Sequence, residues 1–250
     1  MELTIILPYG RICLLQVSPE RRRWSWYVSS LFYRFSYVAI AHQVDEDLFA
    51  YLGSRISGAV VADCGCGPGI VTEKFLRQGA GRVFAIDANS AMLNQMRSRL
   101  ADALASGRVV DVHRAFDPGL FFDLSKRFPG GGGFDIILFK RSLYGEPQKA
   151  LSVLRAAVQA LNPHGILAVI HAERALKRYA FGPGLKIMSY TPYHLFDRAV
   201  SRLGEKLGIG RYTLYTQAEL LDLLQAAAYG RRVESIPSQQ QAYNLLAVLN

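Results

Sequence analysis

The chain has 250 residues, of which 50% are hydrophobic and 20% charged; this composition supplies a globular interior and excludes a disordered chain or a collagen-like repeat. Its net charge of +9 favours an anionic partner without identifying nucleic acid as that partner. Three cysteines exclude a disulfide framework, and neither a secretory leader nor an apolar run of about 18 residues is found, so a cytoplasmic protein is expected.

Short β-branched runs alternate with helical patterns from about residue 59 onward, which is typical of a doubly wound α/β fold with a mostly parallel sheet. The first five runs lack regular polar alternation, so we expect helices to cover both of their faces. The predicted parallel strands are 59–63, 82–87, 109–113, 134–139 and 165–170.

The helical patterns begin and end at recognisable capping residues. Ser90 is the expected N-cap of a helix that Gly107 ends, and a second helix over 148–161 stops at Asn162-Pro163, directly before the fifth strand. Thr216 lies three residues before Glu219, which predicts a capping box and a helix over 216–228. Strands over 231–236 and 242–249 should pair antiparallel and bring the sheet to seven strands.

A glycine-rich turn follows the first predicted parallel strand. Asp63 ends that strand, and Gly65, Gly67 and Gly69 open the next helix. A turn without Cβ atoms lets backbone N–H groups and a helix N-terminus approach a ligand closely, as nucleotide sites require. Asp87 ends the next strand, where a carboxylate can accept both hydroxyls of a ribose.

The glycine spacing separates two classes of nucleotide cofactor. A dinucleotide fingerprint, G-x-G-x-x-G, requires glycine where Ile70 stands, so a nicotinamide-dependent dehydrogenase is disfavoured. The segment 63–69, DCGCGPG, resembles the first motif of the class I S-adenosylmethionine-dependent methyltransferases. Segments 84–93, 134–139 and 161–167 resemble later motifs of that family, in the same order, and the resemblance covers about 44–250.

The resemblance implies a methyltransferase domain over 46–250, S-adenosylmethionine as cofactor and S-adenosylhomocysteine as its product. It assigns Asp87 to the ribose, and Phe139 to a place beside the sulfonium. Family members often carry Gly-Asp-Ala after the third strand, where this chain has Arg114-Ala115-Phe116-Asp117, so either the Asp117 carboxylate or a backbone amide near Ala115 is expected to read the adenine. The remaining cofactor residues that it implies are the loop residues Asp63, Cys64, Gly65, Cys66, Gly67 and Gly69, the adenine neighbours Ala88 and Met92, and Phe116.

Methyl transfer depends mainly on aligning the sulfonium of the cofactor with the nucleophilic atom of the acceptor. A base is needed only when that atom carries a proton. Candidates for a base or substrate contact are His171, Tyr144 and His194, although each histidine is also compatible with plain packing. Lys140 and Arg141, after the fourth strand, would either neutralise an acidic substrate or form a solvated turn. Cys64 and Cys66 lack a second ligand pair, so no metal is expected.

Two regions lie outside the α/β pattern and are predicted to be covers: residues 1–45, aromatic and basic, and an insertion at about 171–215. The N-terminal cover, with Arg21 to Arg23 ahead of Trp24 and Trp26, is compatible with a lid, with packing on the core, or with peripheral contact to an anionic membrane. The aromatic content of both covers favours a small, aromatic or apolar acceptor, methylated on O, N or C. The alternatives are an RNA methyltransferase, suggested by the charge of +9, and a non-catalytic binding module on the same fold.

Overall fold

The computed structural model describes residues 2–6, 12–16, 42–128, 132–143, 147–172, 215–236 and 243–249. Within these ranges, only the backbone is described for 2–6, 12–16, 42–43, 147, 172, 243–245 and 248–249. The elements belong to two compact units, one containing a two-stranded antiparallel sheet of β1 (Glu2–Ile6) and β2 (Ile12–Gln16), and the other containing all remaining elements.

The larger unit is built on a seven-stranded sheet in the order β5-β4-β3-β6-β7-β9-β8. The first five of its strands along the chain pair in parallel, and β9 is antiparallel to both of its neighbours. The strands are β3 (Val60–Cys64), β4 (Arg82–Asp87), β5 (Val109–His113), β6 (Phe134–Lys140), β7 (Leu161–Ala172), β8 (Arg232–Ser235) and β9 (Tyr243–Leu249). This confirms the predicted doubly wound α/β fold with an antiparallel last strand.

Seven described α-helices connect or precede these strands, and a 3₁₀ turn at Gly53–Ile56 follows the first of them. They are α1 (His42–Leu52), α2 (Ile70–Arg77), α3 (Ser90–Arg99), α4 (Ala101–Ala105), α5 (Pro118–Ser125), α6 (Pro147–Gln159) and α7 (Gln217–Ala227).

Helices cover both faces of the sheet because successive strand residues point to opposite sides. On one face, Phe84 and Ile86 of β4 belong to a buried cluster with side chains of α5, α6 and α7. On the other face, Ala85 packs with Leu93 and Met96 of α3. Burial on both faces explains why these strands read as continuous apolar runs.

The structure corrects three details of the sequence-based prediction. Asn89, not Ser90, caps α3, because its side chain accepts from the Ala91 and Met92 amides. The helix predicted as far as Gly107 breaks at Leu100, whose backbone leaves helical geometry (φ −116°, ψ 30°), so a separate α4 follows. Pro147 begins α6 and Gln159 ends it, two residues before the predicted end.

The fifth parallel strand begins at Leu161 instead of residue 165, and its pairing with β6 is interrupted between Phe134 and Ile136. Asn162 holds this irregular stretch: its Oδ1 accepts from the Gly133 amide at 2.6 Å, and its Nδ2 donates to Asp135 at 2.7 Å. The side-chain amide thus replaces ladder hydrogen bonds that the bulge removes. The predicted capping box of α7 is confirmed, with Thr216 and Glu219 bonded reciprocally.

In the described part of the chain, every helix is too short or too polar to cross a lipid bilayer. The predicted N-terminal cover lies outside the described residues except for the backbones of β1 and β2 and the start of α1, and the insertion lies outside them from 173 to 214. The predicted domain boundaries therefore stay predictions.

Candidate functional site

The site lies at the carboxyl edge of β3, β4 and β6. Strand order runs from β3 to β4 and β5 on one side, whereas β6 joins the other side of β3. Such a reversal separates the loops that follow β3 and β6, and open parallel sheets bind ligands in the resulting crevice. The glycine turn, Asp87 and the residues after β6 all lie at this edge.

The three glycines of the turn serve different physical needs, although all have positive φ: +80° at Gly65, +54° at Gly67 and +79° at Gly69. A Cβ on Gly65 would lie 2.3 Å from the Cβ of Ser142, and one on Gly69 would lie 2.6 Å from Cγ of Met96. The first and third glycines therefore let neighbouring elements approach the turn.

Asp87 links β4 to the turn through its carboxylate. Its Oδ2 accepts from the Gly67 amide at 2.9 Å, and its Oδ1 accepts from the Asn89 amide at 2.8 Å. Burial raises the pKa of Asp87, and the backbone hydrogen bonds oppose that rise. Because each carboxylate oxygen has a second lone pair, both can still accept from ligand hydroxyls.

Asp63 is 1% exposed and accepts a hydrogen bond from Oγ1 of Thr72 in α2 at 2.6 Å. Burial raises its pKa from 3.8 to about 6, against the lowering effects of the Thr72 bond and the Lys140 charge. A buried carboxylate of this kind is stabilised by a cationic ligand group.

Lys140, at the end of β6, is buried and forms an ion pair with Asp45 in the first turn of α1. Burial lowers the pKa of Lys140, whereas the charge of Asp45 and the hydrogen bond to it raise that pKa. The alternative that Lys140 is a solvated turn residue is therefore wrong, because it is a buried residue of β6, and its role toward an acidic substrate stays a prediction. Arg141 begins the loop beyond β6 in a left-handed conformation, with φ +53°.

The two cysteines of the turn are buried thiols. Cys64 is inaccessible and Cys66 is 6% exposed, and burial raises the pKa of both thiols. Such thiols resist forming the thiolate that nucleophilic or metal chemistry needs. Among the residues that the structure describes, no group of three or more His, Cys, Asp or Glu side chains is placed to hold a metal ion.

Both residues predicted to flank the adenine lie within the described residues. Ala88 is half-buried, and its carbonyl oxygen lies 3.1 Å from Nε2 of His113. Met92 is buried beneath the start of α3. His113 was not among the predicted site residues, although its place at the end of the third parallel strand was a usable signal.

Asp117, predicted to read the adenine, has partners within the protein. Its Oδ1 caps α5 by accepting from the Leu120 amide at 2.9 Å, and both of its oxygens bond to the Arg114 guanidinium at 3.0 and 3.2 Å. Ala115 is exposed, and the ring of Phe116 packs edge-on against Phe139 with centroids 5.6 Å apart. Recognition of the adenine by Asp117, Ala115 or Phe116 stays a prediction.

Phe139 is fully buried in the apolar core, where it also contacts Phe121 at a centroid distance of 6.1 Å. Its side chain is therefore part of the packing beneath the site edge, and the predicted contact with a sulfonium is untested. Because side chains alternate along β6, Lys140 points to the opposite face of the sheet, where Asp63 also lies.

His171 is the described member of the three catalytic candidates. It is 4% exposed near the end of β7, and its ring contacts that of Tyr215 at a centroid distance of 5.2 Å. Tyr144 and His194 lie outside the described residues. The catalytic roles of all three therefore stay predictions.

The buried residues Asp45 and Thr72 complete the site but were not predicted. Asp45 is 95 positions away from its partner Lys140, so no local sequence pattern connects them. Thr72 lies within the first turn of α2, nine positions from Asp63, and an alcohol there is common in helices of every kind.

The central part of the chain is similar to known protein families. Residues 61–165 match the family model described as a methyltransferase domain. A ubiquinone biosynthesis O-methyltransferase from Pasteurella multocida is 30% identical over 145 residues, which are 56% of this chain and 58% of that protein. The chain thus spans a little over half the length of the curated relatives that it matches.

Solved structures share the fold. One is the S-adenosylmethionine-dependent methyltransferase SibL in its apo form, with a TM-score of 0.58, 22% identity, and coverage of 88% of this chain and 58% of SibL. Another is an O-methyltransferase family protein from Burkholderia thailandensis, with a TM-score of 0.63 and 18% identity. The match covers 94% of this chain and 64% of that protein. At these identities the likeness concerns the fold.

Proposed function

We propose that the protein is an S-adenosylmethionine-dependent methyltransferase that methylates a small, aromatic or apolar acceptor, a proposal supported by the methyltransferase-domain match over residues 61–165 and by the shared fold. The curated relatives are O-methyltransferases, which favours a hydroxyl oxygen as the accepting atom. The observation that carries the proposal is the Asp87 carboxylate, joined to the Gly67 amide at the carboxyl edge of the sheet.

The residues at this edge fit the cofactor chemically. Asp87 retains acceptor capacity for the two ribose hydroxyls, and Asp63 is a buried carboxylate that a ligand ammonium would stabilise. When bound, S-adenosylmethionine supplies an electrophilic methyl group that an acceptor takes by a single displacement, leaving S-adenosylhomocysteine.

The chain's own contribution is to bind and orient. Gly65 and Gly69 keep the turn in close contact with the loop after β6 and with α3, which fixes the Gly67 amide against Asp87. Fixed geometry of this kind supplies most of the rate in a reaction between two bound partners. His171, at the carboxyl end of β7, is the described candidate for removing a proton from a hydroxyl acceptor.

Calorimetric titration with S-adenosylmethionine, S-adenosylhomocysteine and NAD tests the cofactor assignment. We expect the two sulfur compounds to bind and NAD not to bind. Asp87→Ala should weaken binding by about ten- to a hundredfold, since hydrogen bonds to a charged group contribute about 1.5 to 3 kcal/mol.

Asp135→Asn is the matched control. The Asp135 carboxylate also accepts two hydrogen bonds, from the Val60 amide and the Asn162 side chain. It lies at the amino end of the strands, opposite to the carboxyl edge that holds Asp87. Its substitution should leave the affinity unchanged. Equal affinities in wild type and Asp87→Ala, or binding of NAD, would contradict the cofactor assignment.

The acceptor is tested separately, by incubation of the protein with methyl-labelled cofactor and a panel of phenols, catechols and hydroxylated heteroaromatics. Transfer of label to a hydroxyl of one of these classes is the expected result. Tight cofactor binding without transfer to any acceptor in the panel would instead support a non-catalytic binding module.

A further inference from the structure

Two side chains at the carboxyl end of β5 could accept a hydrogen bond from the base of a bound nucleoside. Asp117, the carboxylate closest in sequence to the family's usual adenine contact, caps α5 and forms two hydrogen bonds with Arg114. Arg114 also forms an ion pair with Asp123. Both oxygens of this carboxylate already accept hydrogen bonds within the protein, and a second candidate acceptor stands at the end of the same strand, β5.

His113 is placed to supply that acceptor. It ends β5 and is in register with Asp87 on the neighbouring parallel strand. Registered partners in a parallel pair project from the same face of the sheet, so the imidazole lies beside the carboxylate assigned to the ribose. Its side chain is exposed, as a ligand contact requires in the absence of the ligand.

The hydrogen bond to Ala88 decides the tautomer of His113. Nε2 lies 3.1 Å from the Ala88 carbonyl oxygen, and because a carbonyl can only accept, Nε2 carries the proton. In the neutral ring Nδ1 is then an acceptor. The same bond attaches the imidazole to the residue that directly follows Asp87.

We propose that His113 reads the adenine of the bound cofactor by accepting a hydrogen bond from its 6-amino group at Nδ1. The inference rests on the proposed function, since it names a specificity-determining residue of the same site. It gives to His113, the last residue of the third parallel strand, the role that the family resemblance gives to Asp117.

The test compares S-adenosylhomocysteine with S-inosylhomocysteine, in which a carbonyl oxygen replaces the 6-amino group. Two acceptors would then face each other, so the wild-type protein should bind the inosyl compound at least tenfold more weakly. His113→Ala should weaken S-adenosylhomocysteine binding by about three- to tenfold, the range for one neutral hydrogen bond, and should reduce the discrimination to less than about threefold.

Two conservative variants distinguish the proposed hydrogen bond from the adenine 6-amino group to Nδ1 from the hydrogen bond between Nε2 and the Ala88 carbonyl oxygen. His113→Asn places an amide oxygen near the position of Nδ1 and should retain most of the discrimination. His113→Gln places an amide N–H near the position of Nε2 and should retain the Ala88 bond without the discrimination. Thermal unfolding of each variant establishes that it is folded before titration.

The outcomes distinguish this inference from the proposed function. Unchanged discrimination in His113→Ala, or rescue by Gln but not by Asn, would overturn the role of His113 while leaving the methyltransferase assignment intact. Failure of wild-type protein to bind S-adenosylhomocysteine at all would overturn both.

Discussion

Asp63 makes the stability of the folded protein depend on pH. Its carboxyl group is buried beneath the glycine turn, and burial raises its pKa from 3.8 to about 6. The folded protein therefore holds a proton on Asp63, between about pH 4 and pH 6, that the unfolded chain releases. Stability from this group is greatest below that window and falls as the pH rises through it.

Asp63→Asn should remove this pH dependence, because the amide is neutral throughout and can still accept from Thr72. Relative to wild type, the variant should gain about 2 kcal/mol of stability between pH 4.5 and pH 7.5, because most but not all of the proton release from folded Asp63 falls within that range. Urea unfolding of both proteins at the two pH values measures the change. Asp102→Asn, at an exposed position in α4, controls for the loss of charge, and a stability difference that does not change with pH would contradict the explanation.

At the scale of single residues, sequence reasoning recognised the groups but not their partners. It selected Asp63, Asp87 and the glycines from their positions after strands, and the structure brings them to one edge. It misjudged Lys140, because a lysine after a strand is usually solvated, whereas here Asp45 of α1 covers it. An ion pair across 95 positions leaves no local pattern.

At the scale of elements, the turn after β3 and the loop after β6 are fitted to each other. Ser142 donates from Oγ to the Cys64 carbonyl at 2.5 Å, and its Cβ occupies the space that a side chain on Gly65 would need. This contact joins the two loops on either side of the strand-order reversal. The glycine turn is therefore positioned by β6 as well as by its own helix.

Gly65→Ala should lower the free energy of unfolding by more than about 3 kcal/mol, because a left-handed backbone costs about 1 to 2 kcal/mol and the contact with Ser142 adds to it. Gly107→Ala is the matched control: its φ is +72°, but nothing lies within 4 Å of the added Cβ. Gly107→Ala should therefore lower the free energy of unfolding only by the cost of the left-handed backbone, about 1 to 2 kcal/mol. Urea unfolding measures both, and equal losses would show that the Ser142 contact is unimportant.

Element boundaries were predictable where a cap or a glycine marks them, as at Thr216 and at Gly107, which follows the last helix before β5. They were not predictable where a tertiary contact extends an element. The Asn162 side chain bonds to Gly133 and Asp135, and so β7 continues through a Pro-His-Gly segment that reads locally as a turn.

At the scale of the whole molecule, the strand order of the larger unit creates the crevice, and helices packed on both faces of the sheet stabilise the strands that form it. Because a ligand that binds only the folded state stabilises it, cofactor binding should be visible in global unfolding. S-adenosylhomocysteine at a hundred times its dissociation constant contributes about 2.7 kcal/mol. For a chain of this size each kcal/mol raises the melting temperature by about 2 to 4 °C.

We therefore expect the melting temperature to rise by about 5 to 10 °C with S-adenosylhomocysteine and not with NAD, as measured by differential scanning calorimetry. Asp87→Ala, with its affinity lowered about ten- to a hundredfold, should show about half the wild-type rise or less at the same ligand concentration, whereas Asp135→Asn should show the full rise from its own starting value. An equal rise in Asp87→Ala would place the binding site away from the carboxyl edge of β4.

The amino-acid sequence by itself determined the α/β class, the number of sheet strands and the glycine turn with its two acids. These follow from periodicity, glycine spacing and strand ends, which are local properties of the chain. Only the tertiary structure decided that Lys140 is buried against Asp45 and that His113 lies beside Asp87. Those outcomes depend on strand register and on side chains distant in the chain, where burial and hydrogen bonding choose a partner that no short sequence window contains.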